Sequence, residues 1–318
     1  MAETADYSPG DWAGHDFKDA RKSYDAHVGR SYSDAAAKGT TAASLVPAFI
    51  ETDSEAPLII ACDVTGSMGE WPATIFSKLP YLDIEGKSYL GEDLEISFGA
   101  IGDVNYDKYP FQIRPFSKGL DLEKQLKGLI CEGGGGGNHF ESYELGALYA
   151  ARNIRTPNAD KPIMIFIGDE ALGTSITKAH AAAVNVVLEG PRVDTSAVFE
   201  ELKAKFSVYA IRKRFDGGTD EPQIHKQWVD LLGADRIAML QDPGRVVDVI
   251  FGILARETGK IDYFKEEIEG RQEADKVDTV YKSLKTIHAN LPAPKPKGKG
   301  KSVMHLPAGK KTKHLLGK

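Results

Sequence analysis

Five stretches of the chain are short continuous apolar runs: 58–62 in APLIIACDV, 94–101 in LEISFGAI, 162–167 in PIMIFI, 206–211 in FSVYAI and 236–240 in RIAML. Such runs mark strands covered on both faces, as in a parallel sheet, rather than strands with one face open to water. Around them apolar residues recur at helical spacing over 68–79, 122–130, 140–154, 176–187, 195–205, 222–232 and 243–258. Strands alternating with helices predict a doubly wound α/β fold, a mostly parallel sheet flanked by helices. The stretch 111–116 follows a turn at NYDKYP and contains Pro115, which a central strand would not accept. It predicts one antiparallel edge strand.

Outside a core domain at 56–258 the pattern changes. Residues 1–55 read as a helical extension and linker, with Phe17, Ala20, Tyr24 and Val28 at helical spacing. Residues 259–290 are highly charged but carry Ile261, Phe264, Ile268, Val277, Val280, Leu284 and Ile287. They predict one long helix or two short ones, with Gly270 as the candidate break. Residues 291–318 lack the apolar content to order alone and predict an extended tail.

Composition sharpens this division. Hydrophobic residues make up 42% of the 318 and charged residues 27%, which excludes a collagen-like or wholly disordered chain. The net charge is −6, but the segment from Leu291 carries eight Lys and no Asp, Glu or Arg, so the rest carries −14. An acidic body argues against nucleic acid as the main partner. The basic tail is either a solvated segment or a docking peptide for an acidic partner, since VMHLP and TKHLL set apolar residues among its charges. It has no aromatic residue to stack on single-stranded bases. Cys62 and Cys131 are too few for a disulfide framework. With no apolar run long enough to span a membrane and no secretory pattern in MAETADYSPGDW, the expected localisation is cytoplasmic.

In an open parallel sheet, ligands bind beyond the carboxyl ends of the strands. Three polar clusters fall there. Asp63, Thr65 and Ser67 follow the first strand; Asn138, His139, Glu141 and Ser142 end the run GGGGGNHFES; Asp169 follows the strand IMIFIG. Carboxylates and hydroxyls are the donors of a hard divalent ion, Mg2+ first, with Mn2+ or Ca2+ as alternatives. One carboxylate and two hydroxyls leave such an ion under-neutralised and able to recruit an external carboxylate. The competing reading of Asp63 and Ser67 is a helix cap.

The order of these blocks resembles the metal-ion-dependent adhesion site of von Willebrand factor type A (VWA) domains, whose first motif is Asp-x-Ser-x-Ser. Here it stands as DVTGSMGEW, followed by ISFGAIGDV with Asp103, then RPFSKGLDLEKQLKGLICEGGGGGNHFES, then IMIFIGDEA. This is closest to the form in alpha-kinase-type and bacterial intracellular relatives, over about residues 56–258. Relatives commonly read Gly-Gly-Gly-Asp-Thr-Pro-Glu-Ser in the loop, so Asn138 stands for Asp, His139 for the ligand Thr and Phe140 for Pro. The resemblance implies Asp63, Thr65, Ser67 and Asp169 as metal residues. It leaves the third position to an Asn138 carbonyl, to His139 with a softer metal, or to Glu141 through water.

The implied function is a metal-dependent protein-interaction module, an adaptor or assembly component that captures a partner's Asp or Glu and is not an enzyme. Soluble relatives suggest an AAA+ ATPase of the MoxR kind as partner. The rival is a magnesium phosphohydrolase of the haloacid dehalogenase type, with Asp63 as nucleophile. The carboxylates that chemistry needs two residues after Asp63 and four after Asp169 are Thr65 and Gly173. A third reading is a scaffold that keeps the fold and has lost the metal.

Overall fold

The computed structural model describes residues 42–69, 71–130, 140–160, 162–215 and 220–288. Among them the central sheet comprises β1 (Pro57–Asp63), β2 (Glu95–Ile101), β3 (Phe111–Ile113), β4 (Ile163–Gly168), β5 (Ser207–Arg212) and β6 (Ile237–Met239). Their order across the sheet is β6-β5-β4-β1-β2-β3. β3 pairs antiparallel with β2 at the edge, and the other neighbours pair in parallel. The expected mixed sheet with one reversed edge strand is therefore the observed one. From β1 the chain steps to β2 on one side and later returns to β4 on the other, so the crevice between β1 and β4 is the topological switch point.

Side chains alternate across the sheet, and each face has its own core. Leu58, Ile60 and Cys62 of β1, with Ile163, Ile165 and Ile167 of β4, pack under one set of helices. These are α1 (Trp71–Lys78), α2 (Leu82–Leu90) and α3 (Asp121–Lys127), together with helices from the end of the chain. Ile59, Ala61, Met164 and Phe166 pack on the opposite face against α4 (Tyr143–Asn153), α5 (Lys178–Ala183), α6 (Thr195–Lys205) and α7 (Glu221–Leu232). Both faces are dry, which is why the strands read as unbroken apolar runs.

Several boundaries depart from the expected pattern. The stretch expected as one helix from 68 opens as a 3-10 turn, Gly66–Met68, breaks at Gly69 with φ 57°, and resumes as α1. The helix expected from 140 begins at Tyr143, because Phe140–Glu141 pairs in parallel with Ala171–Leu172. The one expected from 176 begins at Lys178, after Ser175–Thr177 pairs antiparallel with Arg192–Asp194. α2 was not expected, since LDIEGKSYL buries little beyond Leu82 and Tyr89 and contains Gly86. It packs closely on the start of β2: a Cβ on Gly86 would stand 2.7 Å from Leu94 Cδ2, so any larger residue would make the Leu94 side chain shift.

α8 (Val246–Thr258) ends at Gly259 in the left-handed conformation that favours glycine. The charged segment then forms two helices, α9 (Ile261–Arg271) and α10 (Ala274–Ser283), breaking at Gln272 rather than at Gly270. Phe264, Ile268, Val277, Val280, Leu284 and Ile287 join the same core cluster as α8. Asp248 of α8, fully buried, accepts hydrogen bonds from Arg271 Nη2 at 2.9 Å and Arg245 Nη1 at 3.3 Å, which ties α9 to α8. The expected N-terminal helix around 17–38, the glycine-rich loop and the basic tail lie outside the described residues.

Phe264 is 1% exposed at the centre of this α8–α9–α10 packing. Its replacement by Ala is expected to cost about 3–5 kcal/mol in urea-induced unfolding. A cost near zero would show that the charged segment does not belong to the core.

Candidate metal centre

Asp63 closes β1 on the face that carries Ile59 and Ala61, while Cys62 turns into the other core. The Thr65 N–H donates to Asp63 Oδ1 at 2.9 Å and the Thr65 hydroxyl donates to the same oxygen at 2.6 Å. Thr65 Oγ1 stands 3.4 Å from Ser67 Oγ, and the Ser67 hydroxyl donates to Asp169 Oδ1 at 2.9 Å. Asp169 directly follows β4. The structure thus joins Asp63, Thr65, Ser67 and Asp169 in one chain of contacts across the switch point, with both carboxylates fully buried. Thr65, at the N-cap of the 3-10 turn, makes no side-chain cap hydrogen bond, while Asp63 accepts the Thr65 N–H at the start of that turn, as a capping carboxylate would.

Three residues outside the expected ligand set, Tyr143, Gly168 and Lys213, complete the cluster. Tyr143, the first residue of α4, donates its hydroxyl to Asp63 Oδ2 at 2.5 Å, and its ring stands edge-on to Trp228 and Phe166. Gly168 makes room for it: a Cβ there would lie 1.9 Å from the Tyr143 oxygen. Lys213, just past β5, donates through Nζ to Asp169 Oδ2 and to the Ser67 carbonyl, each at 2.8 Å. A glycine immediately before a strand-end Asp was a legible hint of close approach. Tyr143 is one aromatic near a helix start and Lys213 one basic residue among several in IRKRF, so neither carries a signal in sequence alone.

Glu141 is 5% exposed, and its Oε2 has no hydrogen-bond partner among the described residues. Its neighbour Ser142 anchors the start of α4: the Ser142 N–H donates to the Gly102 carbonyl at 3.0 Å, and the Val104 N–H donates to Ser142 Oγ at 2.9 Å. Asp103 Oδ1 accepts from the Asn105 N–H and side-chain amide, closing a local turn. Asn138 and His139 lie outside the described residues.

Burial, reinforced by the charge of Asp169, pushes the Asp63 carboxyl well above the usual range against the pull of the Thr65 and Tyr143 hydrogen bonds. Burial likewise raises Glu141, with the charges of Asp63, Glu170 and Asp103 adding to it. Glu144, whose Oε2 accepts from the Gly173 N–H at 3.1 Å, is pushed up by burial to about 8. Among the described residues no group of three or more His, Cys, Asp or Glu side chains is placed to hold a metal ion. A cation here depends on two carboxylates supplemented by hydroxyls. That donor set, with the unpaired Glu141 oxygen beside it, fits a hard divalent ion rather than a thiolate- or imidazole-seeking one.

Fold and site define a doubly wound α/β protein with an oxygen-lined cluster at its switch point. No family model matches the sequence, and no curated protein matches it. Among solved structures, the pilus adhesin SpaC from Lactobacillus rhamnosus GG in an open conformation aligns at 12% identity and a TM-score of 0.46, over 69% of this chain and 31% of that one. A mutant of the PilB minor pilin from Streptococcus sanguinis aligns at 11% and 0.39, covering 68% of this chain and 64% of that one. The vWF domain of the type V pili tip protein Mfa5 from Porphyromonas gingivalis aligns at 11% and 0.39, covering 70% and 98%. The chain spans about a third of the length of the SpaC structure. Among the described residues no helix is long and apolar enough to cross a membrane.

Replacing Tyr143 with Phe strands a buried Asp63 oxygen. In chelator-treated protein the loss is expected at about 1–3 kcal/mol by urea unfolding. Unchanged stability would mean that the hydroxyl does not hold Asp63.

Proposed function

We propose that the chain is a metal-dependent protein-interaction module of the VWA kind. Asp63, Thr65, Ser67 and Asp169 hold Mg2+, or Mn2+ or Ca2+, at the rim, and a partner's Asp or Glu binds to it. The observation that carries this reading is the convergence of two buried carboxylates and two hydroxyls across the β1/β4 crevice. Bound there, the ion supplies an open position for an external carboxylate oxygen. Thr65 and Ser67 add oxygen donors without adding charge, and so few protein donors leave coordination positions to be filled from outside. The Tyr143 hydroxyl holds Asp63, in the space that Gly168 leaves for it. A further donor comes from the 133–142 loop, through Asn138, through His139, or through Glu141 by way of water.

The surroundings suit a protein partner. Tyr106 and Phe140 are 60% and 48% exposed on the two segments that Ser142 ties together beside the cluster. Exposed aromatic rings around a polar centre are a common composition of interaction surfaces. The motif order that resembles VWA domains supports an adaptor or assembly role in the cytoplasm, with a MoxR-type AAA+ ATPase as the partner class. The basic tail serves as a second attachment to an acidic surface. The chain binds rather than turns over substrate, since Thr65 and Gly173 stand where a phosphohydrolase needs carboxylates.

Calorimetric titration with Mg2+, Mn2+ and Ca2+ tests this. Binding is expected for the wild type and is lost in Asp63→Ala, and chelation releases the captured partner. No binding up to about millimolar metal, the weak end of protein sites for such ions, contradicts the reading. Magnesium-dependent hydrolysis of phosphate esters, abolished by Asp63→Asn, would favour the phosphohydrolase instead.

A further inference from the structure

We propose that Lys213 is a tethered cation that balances Asp169 when no metal is bound and must be displaced for a divalent ion to enter, so that it sets the metal affinity of the rim. This rests on reading the cluster as a divalent-cation site. The backbone of Lys213 is fixed: its N–H donates to the Gly168 carbonyl at 3.0 Å, one residue from Asp169. Its ammonium contacts Asp169 Oδ2 and the Ser67 carbonyl at 2.8 Å and lies 5.8 Å from the centre of the Trp71 ring. With Ser67 on Asp169 Oδ1, both oxygens of that carboxylate are engaged by the chain itself.

The adjacent Arg212 has a different task. Its guanidinium binds Glu221 at 3.0 Å through Nη1 and Nη2 and also donates to the Asp169 carbonyl, holding α7 and the β4 end together. Lys213 instead places a full positive charge on the side chain that a divalent ion needs. Two cations cannot share one buried carboxylate without strong repulsion. The four-carbon stem and compact ammonium of lysine allow it to leave while its backbone N–H stays on the Gly168 carbonyl, which a forked guanidinium bound on two sides does not.

The test is calorimetric titration of Mn2+ into wild type, Lys213→Met and Lys213→Gln, paired with thermal unfolding in chelator. Removing the ammonium is expected to tighten Mn2+ binding by about tenfold or more, because the ion no longer competes with a charge on Asp169. The metal-free variants melt at a lower temperature than wild type, and metal raises their melting temperature by more. If Lys213→Met fails to fold, Lys213→Gln, which keeps a hydrogen-bond donor, decides the question by the same measures. Equal or weaker Mn2+ binding in the variants, with wild type binding metal, overturns the role of Lys213 and leaves the metal site standing. No Mn2+ binding in any of the three proteins overturns both. Binding in the variants but not in wild type upholds the role of Lys213 and replaces a metal-loaded wild type with one in which the lysine itself fills the site.

Discussion

Two carboxylates, Asp63 and Asp169, are fully buried at the ends of neighbouring parallel strands, and like charges removed from water repel with little screening. Most of the local architecture answers that repulsion. Thr65 and Tyr143 donate to the two oxygens of Asp63, and Ser67 and Lys213 to those of Asp169. Each donor imposes a structural requirement in turn. The Thr65 contact bends the chain away from β1, Tyr143 must open α4 at that point, and Gly168 must lack a side chain so that the tyrosine can pass.

The fold delivers these groups through its topology. With β1 at the centre and β2 and β4 on its two sides, the carboxyl ends of β1 and β4 form the switch point. Strand alternation sends Cys62 into one core and Asp63 toward α4. The helices that follow β6 close the opposite face, where Asp248 links α8 to Arg245 and Arg271. The two faces of the sheet thus carry separate apolar clusters.

The strands were legible because burial on both faces turns them into apolar runs that few helices imitate, and the reversed edge strand was legible from Pro115 nearby, although it ends at Ile113, short of the expected 116. Asp63, Thr65, Ser67 and Asp169 were legible as polar residues set where strands end. The two-residue pairings at Phe140–Glu141 and Ala171–Leu172 were not, since so short a ladder is decided by the surrounding packing rather than by local preference. Nor was α2, where Gly86 lowers helix propensity and the close approach of Leu94 to Gly86 cannot be read from the sequence. Tyr143 and Lys213 escaped for another reason. An aromatic at a helix start and a lysine past a strand are ordinary residues until the fold brings them against two buried acids.

The most direct measurement is the anomalous scattering of Mn2+ in crystals of the full chain. The account predicts a single strong peak bounded by Asp63, Thr65, Ser67 and Asp169, with the Lys213 ammonium turned away from Asp169. Ordered density for all four side chains with no peak between them, and Lys213 still on Asp169 in saturating metal, would contradict it.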